Sequence, residues 1–212
     1  MSENTSSTRR LAAILFADIQ GYTALMQKDE KKASILLRRF QEQLKKGVNE
    51  NNGEIVNFYG DGALCLFDFP KAAIHCAIEM QRIFTNNPHV PVRIGIHTGS
   101  VVQEGEKVFG HSVNIASRIE SIGVPGSILF SEKVRDDIRN HQEFQITSLG
   151  NFQFKNVDEP LSVYAISNQG IIVPKKSEIH GKLRPKSPTT PWWILAAIAF
   201  LIAAYFMIPL LS

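Results

Sequence analysis

The chain has only two cysteines, Cys65 and Cys76, and each stands inside an apolar run. That excludes a disulfide framework and points to two buried thiols in a reducing compartment. Six histidines are scattered without an H-x-x-x-H or comparable spacing, which argues against a zinc site. No internal repeat is present, so a solenoid is excluded. The first fifteen residues contain no long apolar core, and no secretory signal is expected. A basic body is missing too. The formal charge of +3 comes from residues 175–186, where Lys175, Lys176, Lys182, Arg184 and Lys186 face only Glu178. The rest of the chain is close to neutral, and no nucleic-acid partner is expected.

What is present is a globular composition, 44% hydrophobic and 20% charged, in 212 residues. That length allows one sizeable core with appendages. The last residues stand apart: Trp192 to Leu211, "WWILAAIAFLIAAYFMIPLL", runs without a charge. As a helix rising about 1.5 Å per residue it would reach roughly 30 Å, the thickness of a bilayer's hydrocarbon core. The expectation is a single transmembrane helix over 192–211 with Trp192 and Trp193 at one interface. The basic cluster before it suits anionic headgroups and a cytoplasmic side, placing the body in the cytoplasm, anchored at its C-terminus to the inner membrane and its lipid.

Along the body, "RLAAILFA" predicts a buried strand ending at Asp18, and "GYTALMQ" begins a helical stretch. From Asp29 to Asn51 the residues Ala33, Leu36, Leu37, Phe40, Leu44 and Val48 recur at helical steps. Strands are expected over 54–59 and 63–69, a helix from Pro70 to about Thr85, and a strand over "VRIGIHTGSV". A helix over "GHSVNIASRIESIG" follows, then a short strand, a helical turn near 134–139, and strands around "NVDEP". The fold class is α+β, a mainly antiparallel sheet with flanking helices. The expected division is a disordered 1–8, a domain over 9–168, a basic Pro/Lys/Ser linker over 169–191, and the anchor.

The chemistry gathers at two acids. Asp18 closes the first strand, and Asp61 stands between Gly60 and Gly62 in "NFYGDGALCLF", at the tip of a hairpin. Either one alone would serve as a turn or capping residue. Two carboxylates brought to one sheet edge repel unless a cation lies between them. Hard divalent cations with oxygen ligands fit, and Mg²⁺ recruits substrate phosphates. Gly21, with Tyr22 after it, would let backbone N–H groups approach a triphosphate. This layout suits two-metal activation of a hydroxyl that attacks phosphorus.

Three stretches carry a resemblance. "FADIQGYTALM" is similar to the F-x-D-I-x-G-F-T segment of class III nucleotide cyclases, the adenylate and guanylate cyclase family. "GDGALCLF" resembles its second metal-aspartate hairpin, and "VFGHSVNIASRIE" its V-x-G-x-x-V-N-x-A-x-R helix. The opening "RRLAAILFADIQGY" and closing "LGNFQFKNVDEPLSVYAI" resemble the family's bacterial branch, so the match runs from about residue 9 to 166. The resemblance implies a ferredoxin-like cyclase domain working as a homodimer, with two Mg²⁺ (or Mn²⁺) ions per site. It implies Asp18, Asp61 and the Ile19 carbonyl as metal ligands. Asn114 would orient the ribose, and Arg118, one turn on, would stabilise charge at the α-phosphate. Both would come from the partner chain. Lys155 would bind phosphate.

Two positions depart from the adenylate pattern. Where the family has Lys four residues before the second metal aspartate, this chain has Asn57. Where it has Asp three residues before the V-x-G glycine, this chain has Lys107. A charged Lys107 cannot accept a hydrogen bond and favours a base carbonyl, while Asn57 donates or accepts. An unpaired buried polar group costs about 1–3 kcal/mol, enough to bias base choice without forbidding ATP. The expectation is a lyase making a 3′,5′-cyclic nucleotide and pyrophosphate, ATP being the default substrate. The alternatives are GTP or a pyrimidine triphosphate, or a dimerising, nucleotide-sensing pseudocyclase.

Overall fold

The computed structural model describes residues 7–179 and Leu183. The order is β1 (Thr8–Ile19), α1 (Tyr22–Lys28), α2 (Glu30–Glu50), β2 (Glu54–Tyr59), β3 (Gly62–Phe67), α3 (Pro70–Phe84), β4 (Val92–Glu104) and β5 (Lys107–Phe109). It continues with α4 (His111–Ser121), β6 (Ile128–Ser131), α5 (Glu132–Ile138), β7 (Ile146–Phe152) and β8 (Leu161–Ile166). The strands form one sheet in the order β2-β3-β1-β4-β6-β8-β7, with β5 paired to β4. All of these pairings are antiparallel except β4 with β6.

The central strand explains its own sequence. Ala13, Ile14 and Leu15 of β1 are consecutive and fully buried, because both faces of the sheet are covered. On one face, Ala13, Leu15, Ala17 and Ile19 meet Phe40 and Leu44 of α2, Ile74 and Ala77 of α3, and Val134 of α5. On the other, Ala12 and Ile14 meet Val113 and Ala116 of α4. The three- and four-residue spacing of α2 puts Ala33, Leu36, Phe40, Leu44 and Val48 inward. Its N-cap Asp29 accepts from the Lys32 N–H at 3.0 Å. Pro70 opens α3 at a position where its missing N–H costs nothing.

Helix α4 lies unusually close to β4. A Cβ at Gly95 would collide with the α4 backbone at Glu120, and one at Gly99 with the Ser112 side chain. The two glycines of "GIHTG" are therefore an approach surface for the helix. Between them His97 is buried, its Nδ1 2.7 Å from Ser131 Oγ. Cys65 and Cys76 are free and buried, and burial pushes the Cys76 thiol up to about 12.

Two boundaries differ from expectation. The domain begins at Thr8, which already pairs with Gln103. Residues 169–179, expected as the start of a linker, pack on the body. Ile171 enters the core under α3, and the Ile172 N–H donates to the Gly126 carbonyl at 3.1 Å. Val173, Ile179 and Leu183 pack against Ile115, Ile119 and Phe154, and Leu183 pairs with Phe154 as an antiparallel bridge. This segment forms a strap beside α4. Among the described residues no helix is long and apolar enough to cross a membrane; the expected transmembrane segment, 192–211, lies outside them.

Candidate active site

The two aspartates meet at one corner of the sheet. Asp18 stands opposite Gly62 across the β1–β3 pairing. The Ile19 N–H donates to the Asp61 carbonyl at 3.1 Å, fastening the hairpin tip to the end of β1. Gly60 turns the chain with φ at 65°. Gly62 serves a different need: a Cβ there would stand 3.3 Å from Asp18 Oδ1 and 3.3 Å from the Ala17 carbonyl oxygen. The bare glycine leaves the Asp18 carboxylate room beside the tip. Both aspartates are half-buried. Two carboxylates and main-chain oxygens at one edge form a hard donor set that fits Mg²⁺ or Mn²⁺, ions that complete their shells with phosphate and water. Among the described residues no cluster of three or more His, Cys, Asp or Glu ligands forms an alternative, self-sufficient metal centre.

Arg93 went unnoticed in the sequence. It lies opposite Asp18 on β4 and donates to Asp18 Oδ2 from Nη2 at 2.9 Å and from Nε at 3.2 Å. Its Nη1 donates to the Ser121 carbonyl at 3.3 Å, and its Nε lies 2.5 Å from Glu120 Oε1. Nε carries one hydrogen, directed at Asp18, so the Glu120 contact is charge attraction and not an aligned hydrogen bond. Arg93 thus ties the C-terminal end of α4 to the first aspartate.

The remaining expected residues lie elsewhere on the domain, Lys155 beside the far edge strand β7. Gly21, exposed and left-handed at φ 79°, caps α1 with open space where a Cβ would be, so its backbone conformation is what demands glycine. The Tyr22 ring packs on the core and its hydroxyl faces Met26 Sδ at 3.9 Å. Asn114 and Arg118 lie on the outer side of α4, away from buried Ile115, Ala116 and Ile119. Their side chains form no hydrogen bond or ion pair among the described residues. Lys155 is exposed in the turn after β7, just past buried Phe154.

Asn57 and Lys107 pair at different levels of the sheet. Asn57 pairs with Leu64, which is level with Phe16 and hence with Gly95. Lys107 pairs with Glu104 at the other end of β4. Nine residues of strand separate those levels, roughly 30 Å.

An α+β domain whose sheet is covered by helices on both faces carries a carboxylate-bearing corner beside a glycine turn, an arrangement suited to a divalent cation and the phosphates it recruits. The comparisons make this specific: the family model for the adenylate and guanylate cyclase catalytic domain matches residues 5–168, and the chain belongs to that family, the class III cyclases. An adenylate cyclase of Anabaena cylindrica is 31% identical over 188 residues, covering 76% of this chain and 37% of the relative. The chain thus spans little more than a third of that protein. The crystal structure of an adenylate/guanylate cyclase/hydrolase from Silicibacter pomeroyi is 32% identical with a TM-score of 0.71, covering 80% of this chain and all of that one. The adenylyl cyclase CyaB of P. aeruginosa, 23% identical with a TM-score of 0.67, covers 82% of this chain and all of its own, and shares the fold.

Proposed function

We propose that the protein is a nucleotide cyclase that converts a nucleoside triphosphate, by default ATP, to a 3′,5′-cyclic nucleotide and pyrophosphate. The observation that carries this is the meeting of the Asp18 and Asp61 backbones at one sheet corner, with Gly62 leaving room beside the Asp18 carboxylate. In the reaction the 3′-oxygen bonds to the α-phosphorus, the bond from that phosphorus to the β-bridging oxygen breaks, and pyrophosphate leaves with the electron pair. Mg²⁺ or Mn²⁺ bound at the corner would supply Lewis acidity that eases loss of the 3′-hydroxyl proton, which passes to solvent water. Asp18, Asp61 and the Ile19 carbonyl would hold the ions. In a homodimer, Asn114 of the partner subunit orients the ribose and Arg118 of the partner subunit stabilises charge on the α-phosphate. Asn114 is exposed and Arg118 half-buried on the outer side of α4, which suits that role. Gly21 and Lys155 lie at exposed turns where they can reach phosphate.

A base other than adenine is the second reading, favoured by Lys107, an exposed cation where an acceptor for the adenine amine is needed. The uncharged 192–211 run and the basic cluster before it support a C-terminal membrane anchor with the domain on the cytoplasmic side; carbonate extraction of membranes tests it. The deciding experiment incubates the full chain in mild detergent with Mg²⁺ or Mn²⁺ and each of the four ribonucleoside triphosphates, identifying products by mass. A cyclic product that disappears in Asp18→Asn and Asp61→Asn is expected. Absence of any cyclic product from a dimeric sample would leave a nucleotide-sensing pseudocyclase.

A further inference from the structure

We propose that Glu120 is a positioning residue that sets how tightly Asp18 holds its cation, acting through Arg93. The inference rests on the reading of Asp18 as a metal ligand. Arg93 keeps its charge at any physiological pH and makes two contacts to Asp18. A guanidinium there competes directly with a divalent ion for the same carboxylate. Glu120 offsets that competition. Its carboxylate lies against Arg93 Nε, and the Arg93, Asp18 and Glu120 side chains are only 23%, 25% and 11% exposed, so solvent screens them weakly. Two carboxylates around one guanidinium leave the triad net negative, which a cation needs; one carboxylate would leave it neutral.

The location is built in. Glu120 sits where Gly95 lets the α4 backbone descend onto β4, and Arg93 is also anchored to the Ser121 carbonyl of that helix. Arg93 is thus held between the helix end and the metal corner, and its lean toward one or the other depends on charge at position 120. The same helix carries Asn114 and Arg118, which in the proposed dimer serve the other active site. Glu120 therefore lets the seat of α4 bear on the cation at Asp18.

The test titrates Mn²⁺ into the full-length protein in detergent without nucleotide, counting free Mn²⁺ by electron paramagnetic resonance, with thermal unfolding recorded for every variant. Glu120→Gln is expected to weaken Mn²⁺ binding at least about tenfold, the effect of one charge roughly 6 Å from a divalent ion even under water's full screening. Arg93→Gln is expected to tighten it, a change of opposite sign that loss of structure cannot produce. Glu120→Asp should recover part of the wild-type affinity. Wild-type affinity in Glu120→Gln, or weaker binding in Arg93→Gln, would overturn the proposal while leaving the cation site standing. Failure of the wild type to bind Mn²⁺, or equal binding by Asp18→Asn, would overturn the cation site itself.

Discussion

Lowering the pH should destabilise this domain through one imidazole. His97, on β4, is 2% exposed, its Nδ1 against Ser131 Oγ, and its Nε2 has no hydrogen-bond partner among the described residues. Burial, aided by the charges of Lys133 and His111, lowers its pKa from 6.5 to about 4. The unfolded chain takes up a proton below about 6.5 while the folded one refuses it, so stability is full above 6.5 and drains away as pH falls toward 4. The whole effect is about 3 kcal/mol, since each unit is worth about 1.4 kcal/mol. Between pH 7.5 and 5.5, before carboxylates titrate, the loss is about 1.3 kcal/mol. Urea titrations of the wild type and His97→Asn at these two pH values, at equal protein concentration, isolate it. Asparagine can still bond Ser131 but does not titrate. A wild-type loss larger than the variant's by about 1 kcal/mol is expected. Equal losses in the two proteins would refute the argument.

Two other outcomes follow from packing. Gly95→Ala forces α4 away from β4 and should cost at least about 2 kcal/mol in urea titration, because the atoms in the way are backbone. It should also lower activity by disturbing Arg93 and Glu120. Ending the chain after Gly170 removes the strap, including buried Ile171 and Ile179. Relative to a chain ending after Leu183 it should lose about 3 kcal/mol or more in the same assay.

Much of the fold was legible because its signals are local. Phe40 and its neighbours announce α2 by period, and Asp29 and Pro70 announce helix starts by their caps. The Asp61 turn was legible because an acid between glycines, flanked by apolar runs, fits no ordinary hairpin tip. What escaped had no periodic signature. Strand β5 is three residues long, although Gly105, at φ 58°, was a turn signal between it and β4. The strap looked like linker because its apolar residues are irregularly spaced among Pro, Lys and Ser; only contact with Phe154 and Gly126 orders them. Arg93 and Glu120 were visible only as charges in otherwise buried elements, and such a charge demands a partner. Naming that partner requires knowing that β4 runs beside β1. Asn57 and Lys107 were paired by resemblance alone.

The strap has a mechanical meaning. The polypeptide leaves the domain not from a neutral edge but across the hydrophobic underside of the helix that bears Asn114 and Arg118. A pull or twist delivered from beyond Leu183 would arrive first at Ile179, Phe154 and Ile119, and so at the helix to which the proposed dimer assigns ribose and phosphate contacts. A domain wired in this way has its exit lead soldered to that helix.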